Sequence, residues 1–171
     1  MQVRPAKPSD ARALARVYVH TWQQTYRGLL PDNYLDAMTV GRSERTYLHR
    51  LESGIWCVVE AEDGRVAGFV SGGPSRNPEE VYGGEIYELY LLKEYQGRGM
   101  GRRLVQALAR RFDRIGIYSM MVWVLARNPN RRFYEKIDGI YLRSAIISFA
   151  GLRLEAVAYG WISTDLVLSA A

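Results

Sequence analysis

The residues Gln96-Gly97-Arg98-Gly99-Met100-Gly101 place three glycines at alternate positions, and Arg102 follows at once. An apolar run precedes them, and Leu104, Leu108, Phe112 and Ile115 recur after them at helical spacing. A strand feeding such a turn at the start of a helix makes an anion site. The first amide groups of the helix lack partners, the helix dipole adds partial positive charge, and glycine keeps a Cβ out of the ligand's way. Arg98 and Arg102 can add charge. The pattern is not a nucleotide P-loop, because no Lys-Ser/Thr pair follows. Nor is it a dinucleotide fingerprint, which needs glycine where Arg102 stands and belongs near the first strand.

Other reactive side chains are scattered. Cys57 lies within Ile55-Trp56-Cys57-Val58-Val59, an apolar run that marks a small buried hydrophobe rather than a nucleophile. His20 and His49 are isolated, without metal-ligand spacing, so no metal is expected. The chain has 171 residues, 48% hydrophobic and 24% charged, which fits one domain over 1–171 without disulfides. Its net charge of +5 comes from arginines clustered at 98–114 and 127–132. No helix-turn-helix, zinc or RNA-binding signature accompanies them, so a polyanionic small molecule is the expected partner and nucleic acid is not. One cysteine, no leading signal peptide and no apolar stretch of about 18 residues argue for a reducing, cytoplasmic location without a membrane partner.

The elements that must position the turn can be read along the chain. A short strand at 2–4 ends at Pro5 and Pro8. Ser9 or Asp10 caps a helix carrying Leu14, Val17 and Val19, which breaks near Tyr26-Arg27-Gly28. Pro31-Asp32 opens a second helix, and a third runs over 42–51. Two β-rich runs, 55–61 and 66–70, flank Asp63-Gly64 and read as a hairpin. Residues 72–84 read as a loop and 86–92 as a strand leading into the turn. The run 117–125 fits a parallel strand buried on both faces. Asn128-Pro129 reads as a helix cap with proline at the first position, and that helix ends at Asp138-Gly139. Strands at 144–149 and 154–161 close the chain around Ala150-Gly151. The order predicts an α/β fold, a mixed sheet with a central parallel pair.

Leu89-Tyr90-Leu91 precedes the turn, and about thirty residues later comes Leu125-Ala126-Arg127-Asn128-Pro129-Asn130-Arg131-Arg132-Phe133-Tyr134-Glu135-Lys136. With Val3-Arg4-Pro5-Ala6 and Ser9-Asp10-Ala11 at the start, the chain resembles the GNAT superfamily of N-acetyltransferases over nearly its whole length. The resemblance implies a mostly antiparallel mixed sheet whose central parallel strands splay to hold acetyl-CoA, with helices on both faces. It implies acetyl-CoA as cofactor and a homodimer as a common assembly. Leu91 would bond the pantetheine arm through its backbone, and Gln96, Gly97, Arg98, Gly99, Met100, Gly101 and Arg102 would hold the pyrophosphate. Asn128 would contact the pantetheine. Tyr134 would be the acid for the departing thiolate, or else a packing tyrosine. One departure is Ile137-Asp138-Gly139-Ile140, where the family has leucine and glycine; Asp tolerates the left-handed position needed there.

Transfer to an amine needs a base, because an alkylamine has a pKa of about 10 and arrives protonated. Glu85 and Glu88 are the candidates, on opposite faces of one strand. Counting back from Gln96, Glu85 stands where several members of the resembling family carry a carboxylate or imidazole facing the acceptor, so the resemblance favours Glu85, with Glu88 open should a bulge change the parity. Trp22, Tyr26 and Tyr34 lie in the segment that covers the acceptor cleft in the resembling family, so Trp22 and Tyr26 would either wall that cleft or cap the core. The acceptor is a small-molecule or peptide amine, acetylated by direct attack. The alternative is a catalytically silent acyl-CoA-binding sensor with the same cofactor residues.

Overall fold

The computed structural model describes residues 1–149 and 151–169. The chain forms two compact units, Met1–Gly72 with Glu88–Leu108, and Gly73–Tyr87 with Ala109–Ala171. In the first, β1 (Gln2–Pro5) pairs antiparallel with β2 (Ile55–Glu60), and β2 with β3 (Val66–Pro74). Three helices join β1 to β2: α1 (Ala11–Tyr26), α2 (Asp32–Asp36) and α3 (Val40–Arg50). Leu14, Ala15 and Val17 of α1 and Tyr47 of α3 bury themselves with Trp56, Val58 and Phe69 of the hairpin. The apolar stripe of α1 thus finds one face of the sheet. Cys57 is buried on that hairpin, as its neighbours foretell.

In the second unit the first residues of β4 (Gly84–Leu91) pair parallel with β5 (Met120–Leu125), over Gly84↔Met120, Glu85↔Met121 and Ile86↔Val122. That parallel ladder has three residue pairs, against six between β5 and β7 (Leu152–Trp161), which run antiparallel. β7 also pairs antiparallel with β6 (Ile140–Phe149). The seven strands lie in the order β1-β2-β3-β4-β5-β7-β6, the mixed sheet with one parallel pair that the element order predicts. Helix α4 (Met100–Asp113) follows the glycine turn, and α5 (Arg132–Glu135) and α6 (Asp165–Ser169) are short.

Several local expectations are corrected. Asp10 does not cap α1 with its side chain: it already has helical torsions (φ −80°, ψ −11°), at the end of a 3-10 turn. Its carboxylate instead accepts the Arg4 guanidinium at 2.8 and 3.0 Å and the Lys7 N–H at 2.8 Å. Gly72 and Gly73 belong to β3 rather than to a loop. A Cβ at Gly73 would lie 2.7 Å from the Tyr87 hydroxyl, so glycine there serves a close approach rather than a turn. Ile115 lies past the end of α4 and is exposed. Asn128 does not cap α5, which begins at Arg132; its Oδ1 accepts the Asn130 N–H at 2.8 Å and closes a turn of its own. β5 begins three residues later than the apolar run, β6 begins four residues earlier than expected, and α6 was not foreseen. Ala150, expected at the last turn, lies outside the described residues.

Candidate functional site: an amide-lined turn and a tyrosine-walled cavity

The glycine turn has the geometry its composition implies. Gly97 and Gly99 have φ of +71° and +73°, a region an L side chain enters only with strain. The Gly99 carbonyl accepts the Arg103 N–H at 3.1 Å and so begins α4. Among the described residues, the backbone N–H groups of Gly97, Arg98, Gly99, Met100 and Gly101 donate to no protein group. Five successive unpartnered amides at the start of a 14-residue helix form a cradle for an anion. Gln96 fastens the turn to the end of β4, its Nε2 donating to the Leu91 carbonyl at 2.8 Å. The Arg98 guanidinium lies 5.9 Å from the Tyr95 ring centre, and Met100 is buried, anchoring the turn from below.

A cavity of about 320 Å³ opens in the same unit, walled by Tyr18 of α1, Tyr34 of α2, Arg42, Tyr47 and Arg50 of α3, and Glu88 of β4. Among the described residues Glu88 is the only carboxylate on its wall. Oε1 accepts Tyr47 Oη at 3.1 Å and Arg50 Nη1 at 3.0 Å, and Oε2 accepts Ser71 Oγ at 3.2 Å. The Glu88 side chain is 11% exposed, so it is sheltered but reachable. Arg50 also lies over the Tyr47 and Trp56 rings, at 5.5 and 5.2 Å. Burial alone would lower the Arg50 pKa, but the Glu88 charge and hydrogen bond outweigh it and raise it. Burial, then the Glu88 charge, raises the Tyr47 phenol; burial, then Tyr34 and Glu88, raises Tyr18. The wall therefore sets neutral phenols beside three charges, the Glu88 carboxylate and the Arg42 and Arg50 guanidiniums.

Glu85 sits differently. It is buried, and Arg76 grips it from the strand's other face, with the backbone N–H at 3.0 Å, Nε at 3.1 Å and a third contact through Nη2. No bulge is needed to send Glu88 to the cavity; ordinary alternation separates the two residues. Trp22 and Tyr26 are buried and line no part of the cavity: Trp22 packs behind Tyr18, ring centres 5.5 Å apart, and Tyr26 behind Trp22 at 4.8 Å. Tyr34 does reach the wall. Sequence reasoning missed Tyr18, Arg42, Tyr47, Arg50 and Ser71; the spacing of Tyr47 and Arg50 on one helix face was the available signal.

In the second unit Tyr134 is buried on α5. Its ring stacks on Tyr159 at 5.8 Å and meets Trp161 edge-on at 6.3 Å. Tyr159 Oη donates to Glu135 and accepts from Arg131, both at 2.8 Å, which locks the stack. Asp138 takes the left-handed conformation expected of it, with φ +63°. The Gly139 N–H then returns to the Tyr134 carbonyl at 2.9 Å. Among the described residues no group of acidic, histidine or cysteine side chains could hold a metal ion, and no helix is long and apolar enough to cross a membrane.

A mixed sheet with one parallel pair, feeding an amide-lined turn into a helix, defines a protein built to grip a phosphate-bearing carrier. The chain belongs to the acetyltransferase (GNAT) family, whose model matches residues 14–139. It is therefore an acetyl-CoA-dependent acetyltransferase. It is 37% identical over 159 residues to YuaI of Bacillus subtilis strain 168, named as an N-acetyltransferase, covering 93% of this chain and 91% of that one. Two solved structures share the fold. The acetyltransferase yncA of Salmonella typhimurium, solved with acetyl-CoA, matches with a TM-score of 0.70 at 22% identity, over 94% of this chain and 92% of that one. The paia N-acetyltransferase of Thermoplasma acidophilum, solved with coenzyme A, gives 0.69 at 17% identity, over 94% and 98%.

Proposed function

We propose that the protein acetylates the primary amine of a small molecule, and that the tyrosine-walled cavity receives that amine. The observation that carries this reading is Glu88, the single carboxylate among the described residues of a cavity large enough for a small molecule but not for a folded partner. The bound cofactor supplies an acetyl group activated as a thioester. Glu88 takes the proton of the incoming ammonium, directly or through one water, and the neutral nitrogen forms its bond to the acetyl carbon as the carbon–sulfur bond breaks. Tyr134 gives its phenolic proton to the departing sulfur, and the proton shed by the new amide nitrogen returns through solvent.

The five free amides from Gly97 to Gly101 fit a pyrophosphate, with Arg98 and Arg102 adding charge and Gln96 holding the turn in place. Two structures of the same fold were solved with acetyl-CoA or coenzyme A, which supports that cofactor as the anion read here. Leu91 and Asn128 serve the pantetheine arm. The single buried Cys57 accords with a reducing, cytoplasmic setting, and light scattering tests the homodimer implied by the family resemblance.

The test is coenzyme A release from acetyl-CoA across a panel of amines, read with a thiol reagent. Turnover of small primary amines is expected, together with a melting shift of roughly 5–10 °C at saturating acetyl-CoA. Cofactor binding with no turnover of any amine would instead favour the silent sensor.

A further inference from the structure

Glu88 is not the only charge on the cavity wall, and the others are unevenly matched. Arg50 is neutralised by Glu88. Arg42 is not: among the described residues its guanidinium makes no hydrogen bond or ion pair, although it lines the same cavity. The wall thus holds one cation more than it has anions. The Ser43 hydroxyl beside Arg42 is also without a partner, and Thr39 Oγ1, which accepts the Arg42 N–H at 3.4 Å, keeps its own proton free to donate. All three stand on the first turn of α3, whose dipole favours an anion. A polyamine would bring two or more cations to this wall and find one carboxylate, already shared with Arg50.

Resting on the reading of this cavity as the acceptor site, we infer that the acceptor carries a carboxylate as well as its amine, and that Arg42 with Ser43 recognises that carboxylate. The helix sets the spacing. Tyr47 and Arg50, which hold Glu88, lie five and eight residues along α3 from Arg42, roughly 8–12 Å of helix rise. The amine at Glu88 and the carboxylate at Arg42 therefore sit several bonds apart, farther than the two groups of an α-amino acid. Tyr18, Tyr34, Ala37 and Met38 on the same wall offer apolar surface to a linker. Amine and carboxylate at opposite ends of a short chain describe an ω-amino carboxylate.

The probes are glycine, 4-aminobutanoate and 6-aminohexanoate, each paired with the alkylamine of equal chain length. For the two longer pairs kcat/KM for the acid should exceed that of its alkylamine by about tenfold or more, the worth of one charge-assisted contact. Glycine should be poorest of the acids. The preference should shrink as salt rises, because Arg42 is exposed and its contact is screened. Arg42→Ala should bring the ratio towards one and Arg42→Lys should restore part of it. The wild-type ratio stands even if a variant folds badly. Alkylamines turned over as well as the acids would overturn the inference and leave the acceptor cavity intact, as would glycine outpacing the longer acids. Arg42→Ala depressing acid and alkylamine equally would also overturn it. Turnover of neither series, with polyamines or peptides acetylated instead, would remove the small-amine reading and the inference with it.

Discussion

Replacing Glu88 by glutamine separates the base from the scaffold, because the two roles predict losses of different size. The carboxylate accepts three hydrogen bonds, one from a cation that is itself 36% exposed. An amide keeps one accepting oxygen, so the Arg50 and Tyr47 bonds survive as neutral-acceptor bonds and Ser71 can turn to accept. The difference between charge-assisted and neutral bonds is about 1 kcal/mol each, and solvent at Arg50 discounts part of it. A folding loss of roughly 1–2 kcal/mol follows, a melting change of roughly 2–8 °C for a chain of this length. That leaves a folded enzyme, since domains hold about 5–15 kcal/mol. Loss of the base should cost roughly 10²-fold or more in kcat/KM near neutral pH, about 2.7 kcal/mol of barrier. Most of that loss should return near pH 10, where the amine arrives neutral. Initial rates from pH 6 to 10, with thermal unfolding alongside, give both quantities. Glu85→Gln should show the opposite pattern, a larger loss of stability with a few-fold change in rate, because Glu85 is buried against Arg76. A Glu88→Gln enzyme at wild-type rate beside a disabled Glu85→Gln enzyme would move the base to the other strand face and remove the cavity from the reaction.

Gly99→Val forces a side chain into φ +73° and should raise the acetyl-CoA dissociation constant at least tenfold, for roughly 1–2 kcal/mol of strain, while circular dichroism stays unchanged; normal affinity by calorimetry would place the pyrophosphate elsewhere. Tyr134→Phe keeps the stack on Tyr159 and removes the proton, so kcat should fall about 10²-fold with acetyl-CoA affinity held, and an unchanged kcat would reduce Tyr134 to packing. Burial alone would raise the Asp10 carboxyl, but the Arg4 guanidinium and the Lys7 N–H outweigh it and hold its pKa below the ordinary value. A group depressed in the folded state stabilises above its unfolded pKa of about 3.9 and loses that contribution as pH falls through the folded value. Denaturant unfolding should therefore show Asp10→Asn less stable than wild type at pH 7, with the gap narrowing below about pH 4; a constant gap would mean that the ion pair contributes no proton linkage.

What could be read from the sequence follows from the range of the physics involved. The glycine turn is short-range: alternate glycines, a strand before and a helical period after, all within twenty residues, and the amides stand free as that pattern requires. Asp138 was legible for the same reason, since few residues besides glycine tolerate a left-handed helix end. Neighbouring Asn128 was not, because an asparagine before proline can begin a helix or close its own turn on Asn130, and only the contacts of Tyr134 with Tyr159 and Trp161 decide where α5 starts. The choice between Glu85 and Glu88 lay further out of reach. Alternation states that they face opposite ways, but which one faces the tyrosine-walled cavity depends on which side of β4 receives α1 and α3. That is settled by the packing of Leu14, Val17 and Tyr47 on Trp56 and Phe69, between side chains on four different elements that no local pattern relates. Once that side is known the rest of the cavity follows: Tyr47 and Arg50, one turn apart on α3, must meet Glu88 across the sheet face. Arg42, two turns earlier on the same helix, must then stand at the cavity's other end without a carboxylate. A carboxylate on the acceptor would supply the missing partner.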